Sequence, residues 1–319
     1  MITSKPNCLL ITTSFPAGGI PGSESAGAFV EDFARALSDI AEVRVIAPAL
    51  EAGIEKRGGV RVNYFKVPRI PLSLMSPARP SDWLAIFRAL RSGDQTVAEE
   101  IARETPDHIL ALWALPSGYW ARRHARRAHI PYSNWALGSD IWSLARLPGV
   151  REVLAATLRD AQYCYADGEQ LRVDVATHAK RDCEFLASAR FLPVPERSNF
   201  ALQPPYKLAF LGRWHVNKGI DILLDALGEL NDGDWQKIAA VRIAGGGPLQ
   251  ARVETAIQSL KAAGRPVQMH GFLGRDAAAD TDPSDRCEIF FLSTFPARSL
   301  HEFQIRHTLF LRCPDLDRG

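Results

Sequence analysis

The chain has 319 residues, 46% of them hydrophobic and 23% charged, with a formal net charge of +2. That length allows two domains of ordinary size, and the composition is that of a globular protein with real cores, which excludes a disordered or low-complexity chain. So mild a charge argues against nucleic acid as a partner, and no run reaches the roughly 18 apolar residues of a membrane-spanning helix.

Strand-like and helix-like segments alternate nearly throughout. Cys8–Thr13 reads as a buried strand, followed by a flexible loop from Pro16 to Gly22. Phe29, Phe33, Ala36 and Leu37 then repeat at helical spacing. Val43–Ala47 and Val60–Val67 are the next strands, and Pro68–Pro80, with four prolines, is a loop. Two helical segments follow, Trp83–Leu90 and Val97–Glu104. His108–Trp113 is a strand, Ser117–Arg127 a helix, Tyr132–Leu137 a strand, Val150–Leu158 a helix, Gln162–Ala166 a strand and Gln170–Thr177 a short helix. Such alternation implies parallel strands with covering helices, hence a doubly wound α/β domain over residues 1–192.

Arg190–Pro205 carries Pro193, Pro195, Pro204 and Pro205 with little periodicity, so residues 193–206 are expected to be a linker. A second strand–helix series fills 207–319: strand 207–211, helix 219–230, strand 240–244, helix 248–262 and strand 267–270.

The five cysteines, Cys8, Cys164, Cys183, Cys287 and Cys313, match no zinc or redox spacing and read as idle or buried thiols of a reducing cytoplasm. The N-terminus, MITSKPNCLLITTSF, lacks the charged start, long apolar stretch and small-residue cleavage site of a signal peptide. A cytoplasmic protein is expected, soluble or resting on the inner face of the membrane. The basic run Arg122-Arg123-His124-Ala125-Arg126-Arg127 reads as a solvated helix face or as a contact for an anionic membrane surface or substrate.

Tyr206–Leu227, YKLAFLGRWHVNKGIDILLDAL, is the segment richest in chemistry. A buried strand breaks at Gly212-Arg213, crosses a polar loop, and enters a helix through Gly219 with Ile220, Leu223, Leu224 and Leu227 on one face. In an open parallel sheet this turn lies at the carboxyl end of the strand, where ligands bind. Arg213 and Lys218 add two cations to a helix N-terminus that already favours anions, which points to phosphate or diphosphate. Gly245-Gly246-Gly247-Pro248 is a second strand-to-helix turn, suited to close backbone approach by a ligand or to tight turning alone.

LGRWHVNKGIDILLDAL, VRIAGGGPL and VQMHGFLGR together resemble the donor-binding domain of a family-four glycosyltransferase with the GT-B fold. The first half agrees in order, through DHILALWALPSGYWARR, SNWALGSDIW, DGEQLRVDV and SARFLPVPE, so the likeness runs from about Leu10 to Gly274. The resemblance implies two Rossmann-like doubly wound domains and a nucleoside-diphosphate sugar as substrate, with no cofactor and no metal. Sugar would move to an acceptor hydroxyl with retention, the departing diphosphate taking part in deprotonation, and the acceptor would be a saccharide or lipid-linked saccharide of the envelope. Arg213 and Lys218 would grip the diphosphate in place of a metal. Gly212, Gly245, Gly246 and Gly247 would lie near the donor, Phe272 and Leu273 would present backbone to the nucleobase, and Gly18 and Gly19 would approach the phosphate. Asp140 of Gly138-Ser139-Asp140 is an acceptor-side polar group or a helix-capping acid, and Glu24 a cleft or helix-entry acid. Relatives often carry His where this chain has Leu112 and Leu137. No Gly-x-Gly-x-x-Gly opens either domain, which counts against a dinucleotide-dependent oxidoreductase.

The family's Glu-x7-Glu motif is expected near residues 290–305, but Glu288 and Glu302 are not eight apart. Periodicity fades from about Asp280. A truncated or frame-altered end, leaving the second domain incomplete, is therefore expected, and with it the alternative of an inactive nucleotide-binding remnant.

Overall fold

The computed structural model describes residues 5–17, 27–72, 75–147, 149–189, 203–271 and 289–291. Contacts divide the chain into two units, Met1–Phe191 and Leu192–Gly319.

The first unit is built on an eight-stranded sheet. In chain order it runs β1 (Asn7–Ile11), α1 (Ala28–Leu37), β2 (Glu42–Ala49), β3 (Gly53–Arg57), β4 (Val60–Lys66), α2 (Trp83–Arg103), β5 (His108–Leu112), α3 (Tyr119–Ala128), β6 (Tyr132–Ala136), α4 (Ser139–Trp142), α5 (Val150–Asp160), β7 (Cys164–Ala166), α6 (Glu169–Ala179) and β8 (Glu184–Phe185). The spatial order is β3-β4-β2-β1-β5-β6-β7-β8, parallel except for β3. Side chains of a strand alternate between faces, and here both faces are covered. Leu9, Ile11, Ile46 and Ile109 pack to one side with Trp120, Leu154 and Leu171. Leu10, Val45, Leu110 and Leu112 pack to the other with Val30 and Ala34 of α1. That two-sided burial makes the strands near-continuous apolar runs.

Two elements differ from expectation. The two helices expected at Trp83–Leu90 and Val97–Glu104 form one 21-residue helix, α2. Its Arg91-Ser92-Gly93-Asp94 stretch resembles a break, but Gly93 is there for space, since a Cβ would collide with the Trp120 ring of α3. Strand β3, GIEKR, carries no apolar period because it is an exposed edge paired antiparallel to β4.

The second unit has β9 (Tyr206–Arg213), α7 (Ile220–Glu229), α8 (Asp232–Trp235), β10 (Ile238–Gly246), α9 (Gln250–Ala262), β11 (Val267–His270) and β12 (Ile289–Phe291). Its parallel sheet has the order β11-β10-β9-β12. The short β12 arises where periodicity had faded, since three residues cannot display a period. Ile220, Leu223, Leu224 and Leu227 of α7 pack with Phe210, Val241, Ile243, Val253 and Ile257. Each unit is a parallel α/β sheet flanked by helices, and the two in series form the Rossmann-like GT-B architecture.

Candidate functional site

The parallel register between β9 and β10 sets Gly212 beside Gly245 and Arg213 beside Gly246. Both strands therefore end at one edge, and the cationic turn and the glycine turn leave it side by side. Trp214 staples them: its N–H donates to the Gly246 carbonyl at 2.9 Å and its own carbonyl accepts from Leu249 N–H at 3.1 Å. The Trp214 ring is buried, and its Nε1 has no hydrogen-bond partner among the described residues. Sequence reasoning passed over Trp214, and the only available signal was a large aromatic residue inside a polar loop.

After Trp214 the chain makes a 3-10 turn, Val216–Lys218, and enters α7 through Gly219 at φ 69°. No side chain caps this helix. Its first N–H groups therefore have no capping side chain among the described residues and lie at the positive end of the peptide dipoles. Arg213 is exposed, and its side chain makes no hydrogen bond or ion pair with described residues. Lys218, on the same connection, is half-buried and takes part in a polar or electrostatic contact. Asp221 in the first turn of α7 offsets one of these charges. Two cations, one acid and an uncapped helix end leave an anion-favouring edge, suited to phosphate oxygens.

The glycine turn has a second explanation. Gly245 adopts φ 146°, and a Cβ there would run into the Gly212 carbonyl oxygen of the neighbouring strand. At Gly247, φ 152°, a Cβ would come within 2.6 Å of the Trp214 carbonyl. These glycines are required by contacts within the unit, whatever may bind at the edge.

In the first unit the order of strands reverses between β1 and β5, the place where open α/β sheets bind ligands. Leu112 ends β5 fully buried, and Leu137 after β6 packs on the same core. Between β5 and α3 lies a π turn, Ala114–Gly118, preceded by Trp113 at φ 68°, a strained conformation for so large a residue. Asp140, only 1% exposed, accepts the Ala114 N–H at 2.5 Å through Oδ2. It thereby ties the turn after β5 to the turn after β6. Asp140 Oδ1, Ser117 Oγ and both amide atoms of Asn134 are buried there without a hydrogen-bond partner among the described residues.

Burial pushes the Asp140 carboxyl up from 3.8 to about 6, against the pull of the Ala114 amide and of backbone N–H groups at 137–141. A raised folded value means the charged form is disfavoured by folding. The stability this residue contributes is therefore complete below about pH 4 and is lost as pH rises through about 6. Asp140→Asn keeps an acceptor for Ala114 and should remove this loss, stabilising the protein near pH 7.5 by on the order of 2–3 kcal/mol while leaving it unchanged near pH 4. Denaturant unfolding of both proteins across that range would decide the matter, and parallel curves would refute it.

Gly18, Gly19, Glu24, Phe272, Leu273, Glu288 and Glu302 lie outside the described residues. The basic run on α3 is partly neutralised, two carboxylates facing its four arginines. Arg122 and Arg126 pair with Asp160 at 2.7 and 3.2 Å, and Arg123 and His124 pair with Asp94 of α2 at 3.0 and 2.9 Å. A hollow of about 380 Å³ beside it, lined by Arg126, His129, Tyr132 and Asp160, opens at the amino end of β6, away from the strand ends where ligands bind. Cys8, Cys164 and Cys183 are free, with burial pushing their thiols up to about 11, 11 and 12, so all three are unreactive. Among the described residues no helix is long and apolar enough to cross a membrane.

No protein-family model matches the chain, and no curated protein does. In structure it is similar to the lipopolysaccharide outer core galactosyltransferase WaaB in its apo form, at 15% identity and TM-score 0.55, over 91% of this chain and 75% of that one. It is also similar to HepE from Anabaena in complex with UDP and glucose, at 16% identity and TM-score 0.54, over 84% and 70% of the two chains. Sucrose-phosphate synthase from Thermosynechococcus elongatus matches at 13% identity and TM-score 0.58, over 86% and 72%. At such identities the likeness establishes the shared fold.

Proposed function

We propose that this chain is a glycosyltransferase that binds a nucleoside-diphosphate sugar at the carboxyl edge of β9 and β10 and moves the sugar to an acceptor hydroxyl. The observation that carries the reading is the register of those two strands, which sets Arg213 beside the glycine turn and next to the uncapped start of α7. Departure of the nucleoside diphosphate leaves negative charge on its terminal oxygens, and fixed cations and N–H groups stabilise that charge as it develops. The acceptor oxygen bonds to the anomeric carbon, the bond from that carbon to the diphosphate breaks, and the acceptor's proton passes to a diphosphate oxygen. Transfer by this route retains the anomeric configuration. A saccharide or lipid-linked saccharide of the cell envelope fits as acceptor, and the UDP in the HepE complex makes UDP the first nucleotide to test.

Titration calorimetry with UDP provides that test. Arg213→Ala and Lys218→Ala should each weaken binding by about 10- to 150-fold, the equivalent of a charge-assisted contact of about 1.5–3 kcal/mol. Equal affinity in both variants and the parent would refute the site. A second reading, a nucleotide-binding remnant without activity, draws support from the missing Glu-x7-Glu spacing, Glu288 and Glu302 being the only candidates. UDP binding without sugar transfer to any acceptor would favour it.

A further inference from the structure

The first two turns of α2 expose a set of large apolar side chains with no described partner to cover them. Trp83 is 61% exposed, Phe87 59%, Leu84 58% and Leu90 40%. At about 100° per residue, positions 83, 84, 87 and 90 fall within one arc of roughly 120°. The residues through which the same helix packs, Ala89, Gly93 and Val97, fall outside that arc. A contiguous apolar ridge of this kind on a soluble surface marks an interaction site rather than ordinary scatter.

The charge around the ridge identifies its partner. Between Arg69 and Arg91 the chain has four arginines, Arg69, Arg79, Arg88 and Arg91, and one acid, Asp82, a net +3 against +2 for the whole chain. Asp82 is buried, and is held by Arg69 at 3.0 Å and Arg79 at 3.7 Å. Arg88 and Arg91 lie on the ridge helix itself, are exposed, and pair with no described residue. The Trp83 indole is fixed by donating Nε1–H to the Pro77 carbonyl at 2.8 Å, so its ring is presented in one orientation. Aromatic and aliphatic side chains in one arc, with Arg91 inside it and Arg88 on its flank, match the boundary between acyl chains and anionic headgroups. We propose that this face of α2 docks the protein on an anionic lipid surface, with Trp83, Leu84, Phe87 and Leu90 entering the headgroup–acyl boundary and Arg88 and Arg91 meeting lipid phosphates.

The inference does not depend on sugar transfer, because docking can be measured without nucleotide. The full chain should co-sediment with vesicles of phosphatidylcholine mixed with phosphatidylglycerol, and much less with phosphatidylcholine alone, the difference shrinking as salt rises. The triple variant Trp83→Ser, Phe87→Ser, Leu90→Ser should lose roughly a hundredfold in vesicle affinity. Arg88→Glu with Arg91→Glu should lose about tenfold or more at low salt. Leu84→Ser with Phe87→Ser, which leaves the Trp83–Pro77 bond in place, should also weaken binding, and circular dichroism melting should show all variants folded. Three results would overturn the proposal: no sedimentation with anionic vesicles at low salt, binding that survives the ridge substitutions, or a concentration-dependent dimer that those substitutions abolish in a protein that ignores vesicles.

Discussion

Glu100→Ala is expected to lower the unfolding free energy of the first unit by about 3–5 kcal/mol, the cost of leaving buried charge without its partner. Glu100 is 1% exposed, yet four side chains from three elements converge on it. Arg44 of β2 donates to Oε1 at 2.8 Å and Arg61 of β4 to the same oxygen at 2.9 Å. Asn63 of β4 donates to Oε2 at 3.0 Å, and Arg103, one turn along α2, at 2.9 Å. The carboxylate thus bolts α2 across two neighbouring strands. Arg44 has Asn7, the Glu104 carbonyl and the half-exposed Glu104 carboxylate at 3.6 Å as further partners, but it is itself buried and Glu100 is its only buried counter-charge among the described residues. Burial alone would raise the Glu100 carboxyl above its ordinary 4.5, but the bonds from Asn63 and Arg44 and the charges of Arg61 and Arg44 outweigh it and hold it lower. A depressed value means this stabilisation is complete above about pH 4.5 and is lost as the solution is acidified through the folded value. The Ala variant should therefore unfold more easily in urea at pH 7, and its stability should fall less steeply on acidification than that of the parent. A loss under about 1 kcal/mol at neutral pH would show that the network is a surface-like ion cluster of little worth. Because α2 carries the exposed Trp83–Leu90 ridge, the same variant should also weaken vesicle docking at temperatures where the helix loosens.

The sheet architecture was readable because parallel strands are buried on both faces. Leu9-Leu10-Ile11 shows no alternation, since Leu9 and Ile11 enter one core and Leu10 the other. Helix α7 was readable for the opposite reason, having one apolar face at 220, 223, 224 and 227. The position of Arg213 and Lys218 in a strand-to-helix turn was legible from a strand ending in glycine ahead of that helix. What was not legible depends on residues far apart in sequence. Gly93 reads as a break until Trp120 is placed against it. The arginines that bind Glu100 come from 39 and 56 residues earlier. Asp140 stands two residues after Gly138 in the first turn of a short helix, so it reads as a cap. Its actual partner, the Ala114 amide, comes from the turn after the adjacent strand. Strand β3 shows no apolar period because neither of its faces is buried.

Gly245→Ala is the substitution that separates packing from ligand approach at the strand ends, with an expected loss of about 2–6 kcal/mol in the second unit. Two costs add. An alanine at φ 146° sits in a region that side chains with a Cβ rarely adopt, at about 1–3 kcal/mol. Its Cβ would also strike the Gly212 carbonyl oxygen and stand 3.0 Å from Trp214 Nε1, an overpacking of about 1–3 kcal/mol that a backbone carbonyl cannot relieve by rotation. Its register partner supplies the control. At Gly212 a Cβ would meet nothing nearer than the Phe210 ring at 3.6 Å, an ordinary contact, so Gly212→Ala should be nearly neutral. If the glycines exist to hold β10 against β9, Gly245→Ala should lower the melting temperature without any nucleotide present, while Gly212→Ala should not. Were they kept only so that phosphate can come close, both variants would melt like the parent and differ solely in UDP affinity. An unshifted melting curve for Gly245→Ala in the absence of nucleotide would rule out the packing account, since no rearrangement short of parting the two strands makes room for that methyl group.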